Sequence, residues 1–148
     1  MKPTQSAPVL ILLIALAGCG DPGASNSSEA SNIPSWQAPD AYEFALDSSC
    51  GERSLIGKFR VVVENGSVVE ADGLDESGRA LFEHGAEDDV PTLSKLLDQA
   101  ATAEEEGADV VEVEATDEGR PTAIDIDWDS NADDDEACYR ITAYSTMS

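Results

Sequence analysis

The sequence predicts an α+β domain: an antiparallel sheet of five to six strands, in the order β-β-β-α-β-β-β, with one helix packed on its apolar face. Three observations predict it. DAYEFALDSSC at 40–50, and DVVEVEAT, PTAIDIDW and ACYRITAY beyond residue 108, alternate apolar and polar side chains. A period of two is the pattern of a half-buried strand. Asn65-Gly66 stands between the apolar runs KFRVVVE and SVVEAD, the strongest short hairpin signal, because a type I′ turn needs positive φ at both central residues. Between these groups, Pro91 to Glu106 changes to helical spacing.

The chain opens MKPTQSAPVLILLIALAGCG, with Lys2 ahead of an unbroken apolar run from Val9 to Ala17. That run is far short of the ~20 residues that cross a bilayer as a helix, and it suits the apolar region of a signal peptide. It ends in Leu16-Ala17-Gly18-Cys19, which resembles the lipobox of bacterial lipoproteins. The resemblance implies a signal peptide over residues 1–18, cleavage before Cys19, and a membrane anchor of acyl chains such as palmitate on the Cys19 sulfur. An ordinary secretory signal followed by a chance cysteine is the alternative. Two or more chains, at ~0.8 kcal/mol per buried CH₂, anchor stably. Residues 19–35, which include GDPGASNSSEASNIPS, offer almost nothing to bury and are expected to form a disordered spacer with a mean span of ~20–25 Å. Residues 36–146 make up a single domain.

The formal net charge is −23, and the mature chain loses Lys2 but no acidic residue. Such a surface repels nucleic acid and anionic headgroups. It suits cationic or basic partners, and also a saline setting where screening relieves self-repulsion. Of three cysteines, lipidation uses Cys19. Cys50 and Cys138 remain as an even pair, expected to form a disulfide in an oxidising compartment. Two buried free thiols are the alternative. A loop of about ninety residues closed in this way contributes ~4–5 kcal/mol in the chain-entropy model. The single histidine, His84, lies in the polar run EHGAEDD and nothing marks it as a partner for either thiol.

In the first strand, Tyr42, Phe44 and Leu46 alternate with Glu43, Ala45 and Asp47. The next pair meets at the Asn-Gly turn. A two-residue turn sets Val63 opposite Val68 and Val62 opposite Val69, which leaves either face as a candidate for burial. Gly73 to Asp89 is polar and Gly-rich and reads as loop. In the helix, Leu93, Leu96, Leu97 and Ala100 form one stripe. Thr92 suits its N-cap, and Gly107 suits the residue just past its end. This stripe is expected to cover the sheet. In the last three strands, Val111, Val113 and Ala115, then Ile124, Ile126 and Trp128, then Tyr139, Ile141 and Ala143 form apolar faces. Antiparallel strands of this type keep one face solvated.

The acidic stretch IDIDWDSNADDDE can be set against a calcium-binding EF-hand loop. Asp125, Asp127, Asp129, Asn131, Asp133 and Glu136 fall at its ligand positions 1, 3, 5, 7, 9 and 12. Two departures count against the match. Ser130 stands where the sharp turn requires Gly, and both flanks alternate as strands instead of helices. A hairpin loop over 129–135, kept soluble by charge, is the preferred reading. From Tyr42 to Tyr144 the chain also resembles an uncharacterised bacterial lipoprotein family, domain of unknown function number 6174. The matching features are Tyr42 ahead of Cys50, VVVENG, Thr92-Leu93, Gly119-Arg120-Pro121-Thr122, Ile126-Asp127 and Asp134-Asp135-Glu136. The resemblance implies that Asp127 and the Asp-Asp-Glu run frame a hairpin, and it implies no activity. A single Cys50 stands where some relatives carry Cys-x-Cys.

The sequence holds no Ser-His-Asp set, no histidine pair for zinc and no Gly-rich phosphate loop. The leading expectation is therefore a lipid-anchored, non-enzymatic module on the extracytoplasmic side of the cell envelope. It would need no cofactor, and would bind an envelope partner or serve a structural role. The alternative is a calcium-binding module centred on the 125–136 stretch. A hydrolase using paired carboxylates is the third reading.

Overall fold

The structure, a computed structural model, describes residues 31–51 and 55–148. Nine elements follow one another: β1 (Ala41–Ser48), β2 (Gly57–Glu64), β3 (Ser67–Gly73), α1 (Glu76–Glu83), a short 3₁₀ turn (Glu87–Asp89), α2 (Leu93–Glu106), β4 (Val110–Ala115), β5 (Pro121–Asp127) and β6 (Glu136–Thr146). The strands form one antiparallel sheet in the order β3-β2-β1-β6-β5-β4. The expected α+β class and strand order hold. Each half of the sheet is a meander, and the two meanders join along a single seam between β1 and β6.

Alternation decides which face is covered. Tyr42, Phe44 and Leu46 of β1 are buried, as are Phe59, Val61 and Val63 of β2 and Ala137, Tyr139 and Ile141 of β6. Their neighbours Glu43, Lys58, Arg60 and Arg140 point to the opposite, open face. Helix α2 lays Leu93, Leu96, Leu97, Ala100 and Ala103 onto the covered face. The Thr92 Oγ1 accepts from the Lys95 backbone N–H at 3.2 Å, and Gly107 ends the helix at φ 81°. The Tyr139 hydroxyl donates to Gln99 Oε1 at 3.1 Å, which ties α2 to β6. Burial at this contact between sheet and helix pushes the Tyr42 phenol above its ordinary pKa.

The stretch expected to be loop contains a second helix, α1, on the same face as α2. Its cause is a tertiary seat. Asp75 N-caps it, with Oδ1 accepting from Gly78 N at 2.8 Å and from Lys58 N on β2 at 3.1 Å. The helix backbone lies so close to the strands that a Cβ on Gly73 would stand 2.3 Å from Arg79 N. Phe82 then meets Phe59 with ring centroids 5.6 Å apart. The two backbone donors hold the Asp75 carboxyl below the usual range. Its contribution is therefore complete above the unfolded-chain value, ~3.9, and is lost as pH falls through the lower folded value. Asp75→Ala is expected to cost about 1–2 kcal/mol at neutral pH. Urea midpoints of variant and parent should converge in acid. A gap that persists unchanged at low pH would show that the carboxylate is not the cause.

One bulge corrects the expected pairing of the hairpin, and another corrects the expected apolar face Tyr139, Ile141 and Ala143 of the last strand. Val63 does face Val68, but Val62 pairs with Glu70, because Val69 is an extra residue between them and points to solvent. Along the central seam, Ala45 pairs with Thr142 whereas Glu43 pairs with Ser145, so β6 also carries one extra residue. Ala143 sits there at φ 49° and is exposed. The shift brings Tyr144 to the core side in place of Ala143, with its ring 5.8 Å from that of Tyr42.

The described end of the expected spacer, 31–35, holds no helix or strand, yet it lies on the body. Ser31 Oγ donates to Glu104, and Asn32 N donates to the same carboxylate at 3.3 Å. Ile33 and Trp36 pack against the core, and Trp36 meets Tyr42 edge-on at 5.5 Å. Gly119, at φ 82°, makes room for this strap, since a Cβ there would stand 2.2 Å from the Ser35 carbonyl oxygen. The expected signal peptide, the expected lipidation site Cys19 and the rest of the expected spacer lie outside the described residues.

Candidate functional site

Helices cover one face of the sheet, and the open face, its edges and the β5–β6 hairpin tip are the parts of the sheet accessible to a partner. The open face is crossed by ion pairs between side chains that the strand registers bring level. Arg60 bonds Glu43 at 2.9 Å, Asp72 at 3.3 Å, and Glu70. Lys58 meets Asp47 at 2.7 Å, and Arg140 meets Asp125 at 2.9 Å. Each partner keeps a third or more of its side chain in water. Single pairs of this kind contribute ~0–1 kcal/mol. They fix side-chain positions and match charge more than they stabilise the body.

At the tip, the Trp128 N–H donates to the Asp135 carbonyl at 3.0 Å, and β5 and β6 close a loop between them. Asp109, just ahead of β4, holds this loop down. Its Oδ2 accepts from Ser130 N at 2.8 Å and from Ser130 Oγ at 2.7 Å. These hydrogen bonds depress the Asp109 pKa. Asp129 Oδ1 accepts from the Asn131 backbone and side-chain amides at 3.0 and 3.1 Å.

The six residues matched to a calcium loop are distributed as follows. Asp125 and Asp127 are on β5, and Asp125 is engaged by Arg140. Asp129 and Asn131 bond each other. Asp133 is exposed in the loop, and Glu136 begins β6 directly opposite Asp127. The flanks are strands. Among the described residues, the group of Cys, His, Asp or Glu atoms close enough to share an ion is Cys50, Glu136 and Cys138. Both of those thiols are already spent. Asp127 differs from the rest, because its Oδ1 is buried without a hydrogen-bond partner.

Cys50 and Cys138 are joined in a disulfide, with Cα atoms 5.2 Å apart. The bridge lies where β1 ends and β6 begins, and Ser49 N donates to the Cys138 carbonyl at 3.1 Å. Gly51, at φ 83°, follows it. A Cβ there would stand 1.7 Å from the Glu136 carbonyl oxygen, so only glycine lets the chain leave the bridge on this path. His84 is the C-cap of α1. Among the described residues, no helix is long and apolar enough to cross a membrane.

Sequence reasoning missed the strap, α1 and the seam bulge. Asp75, a residue suited to an N-cap, is the one local trace of α1, and it does not by itself mark a helix. Nothing local marks Ala143 as a bulge.

These features define a disulfide-bridged, two-layer α+β domain with one helical face and one open, charged face. A family model described as Family of unknown function (DUF6174) matches residues 30–146, and the chain belongs to that family. The match includes the strap. No curated protein and no solved structure matches the chain.

Proposed function

We propose that the chain is a lipid-anchored, non-enzymatic module of the cell envelope, held on the extracytoplasmic side through acyl chains on Cys19. Its body would meet an envelope partner or serve a structural role there. The observation that carries this reading is the division of the three cysteines. Cys50 and Cys138 are spent in a disulfide, which belongs to an oxidising compartment. Cys19 is left over, directly behind Leu16-Ala17-Gly18. The strap supports it as well. Ser31 lies beside Glu104 in the helical layer, and a tether attached from that side would leave the open face and the hairpin tip accessible. About twelve residues separate Cys19 from Ser31, a reach of at most ~40 Å. A non-enzymatic role is supported by the oxidised state of both body thiols. Cells fed an alkyne analogue of palmitate should label the parent chain and carry it in the membrane fraction. Cys19→Ser should be unlabelled and soluble. Equal labelling of the two would overturn the proposal.

A second reading, calcium binding by the 125–136 stretch, is favoured by one observation, the unpartnered Oδ1 of Asp127. Calorimetry with calcium chloride tests it. Saturable heat that is lost in Asp127→Asn and Asp129→Ala supports it, and no heat in the parent removes it.

A further inference from the structure

The open sheet has two edges, β3 and β4, and they are not alike. Along an edge strand every second residue turns its backbone N–H and C=O away from the sheet, which makes a template for another strand. At the β3 edge the acids on the open face are engaged from within the sheet, because Arg60 on β2 bonds both Glu70 and Asp72. At the β4 edge Glu112 and Glu114 stand two residues apart on the open face. Among the described residues neither has a hydrogen bond or an ion pair, and Arg140, the cation whose field reaches Glu114, is itself engaged by Asp125. On the covered side, Val111 and Val113 are only half-buried against the core, while Val110 shares the open face with the glutamates and is 39% exposed. The β4 edge therefore offers three things in register: unpaired backbone, an apolar row on one side and uncompensated carboxylates on the other.

We propose that the outer edge of β4 is the docking site for an extended, cationic segment of a partner protein, one that alternates Lys or Arg with apolar residues. Paired beside β4, such a strand places its cations against Glu112 and Glu114 and its apolar side chains beside Val111 and Val113, over the flank of α2. Opposite charges on directly paired strands are favourable and like charges are not. A second copy of this chain is therefore a poor occupant, since β4 against β4 sets glutamate against glutamate. The proposal rests on the reading of this domain as a partner-binding module, and it specifies the partner's chemistry.

The test uses the mature chain in neutral detergent with the synthetic peptide KVKVKVK and hydrogen exchange read residue by residue. Slowed exchange confined to 110–115 is expected, with β3 amides unchanged. Glu112→Gln with Glu114→Gln should weaken binding at least about threefold, the effect of two partly exposed ion pairs. A peptide of equal charge with proline at its centre should leave β4 unprotected. Protection at β3, protection nowhere, equal binding of the proline peptide, or sedimentation showing a dimer through β4 would each overturn the proposal. None of these outcomes bears on palmitate labelling at Cys19, so failure here is distinguishable from failure of the anchoring reading.

Discussion

Replacing both Cys50 and Cys138 by Ser is expected to remove about 3–5 kcal/mol from the stability of the body. Two features set that magnitude. The cysteines are 88 residues apart, and a long closed loop restricts the unfolded chain strongly. The bridge also crosses the one seam that unites the two meanders. β1 pairs with β6 there, but the pairing is interrupted at Ala143, so the register is continuous only over Ala45–Ser48 against Tyr139–Thr142, beside the bridge. Domains of this size hold roughly 5–15 kcal/mol in total, so the loss should be visible as a large fall in the urea midpoint. The slope should rise at the same time, because an unfolded chain freed of its crosslink exposes more surface. The double variant is preferable to either single one, which leaves a free thiol. A loss below about 1 kcal/mol would mean that the seam holds without the bridge and that loop restriction contributes little.

How far the fold could be read beforehand depended on how local its causes are. The strands were legible because one sheet face is wet: Tyr42-Phe44-Leu46 against Glu43-Ala45-Asp47 records that asymmetry residue by residue. Helix α2 was legible because Thr92, the leucine stripe and Gly107 all lie within it. The pairing of Cys50 with Cys138 was legible by elimination, and the structure adds that β1 and β6 are neighbours. Helix α1 was not legible, because its eight residues are held by contacts made elsewhere. Lys58 supplies a donor to its cap, Gly73 supplies clearance, and Phe59 supplies a surface. The same is true of Ala143, whose exposure follows from the need to bring Tyr144 onto Tyr42 and Trp36. It is true of 31–35 as well, which look like spacer by composition but lie against Glu104 and Gly119. At the acidic tip, spacing alone matched a calcium loop. The backbone decides where those oxygens go, and two strands send Asp125 to Arg140.

Phe59→Ala is expected to cost about 3–5 kcal/mol, the ordinary range for deleting a fully buried aromatic ring. Phe59 is 0% exposed. On β2 it lies level with Leu46 on one side and Gly73 on the other, and it meets Phe82 from above. Its removal should therefore act unevenly. An isolated helix of eight residues is far below the length that is stable in water, so α1 depends on this contact and on the Asp75 cap. Helix α2 has its own row of buried side chains and should survive. Phe82 is only partly buried, so Phe82→Ala should cost less than Phe59→Ala. A double-mutant cycle should return a coupling of about 0.5–1.5 kcal/mol for the ring pair. Hydrogen exchange separates this account from a uniform loss of stability. In Phe59→Ala the amides of 76–83 should exchange far faster than those of 93–106, whereas in the parent both should be protected. If the two helices lose protection together, α1 is an integral part of the cooperative core, and the view that it is seated locally by Phe59 and Asp75 is wrong.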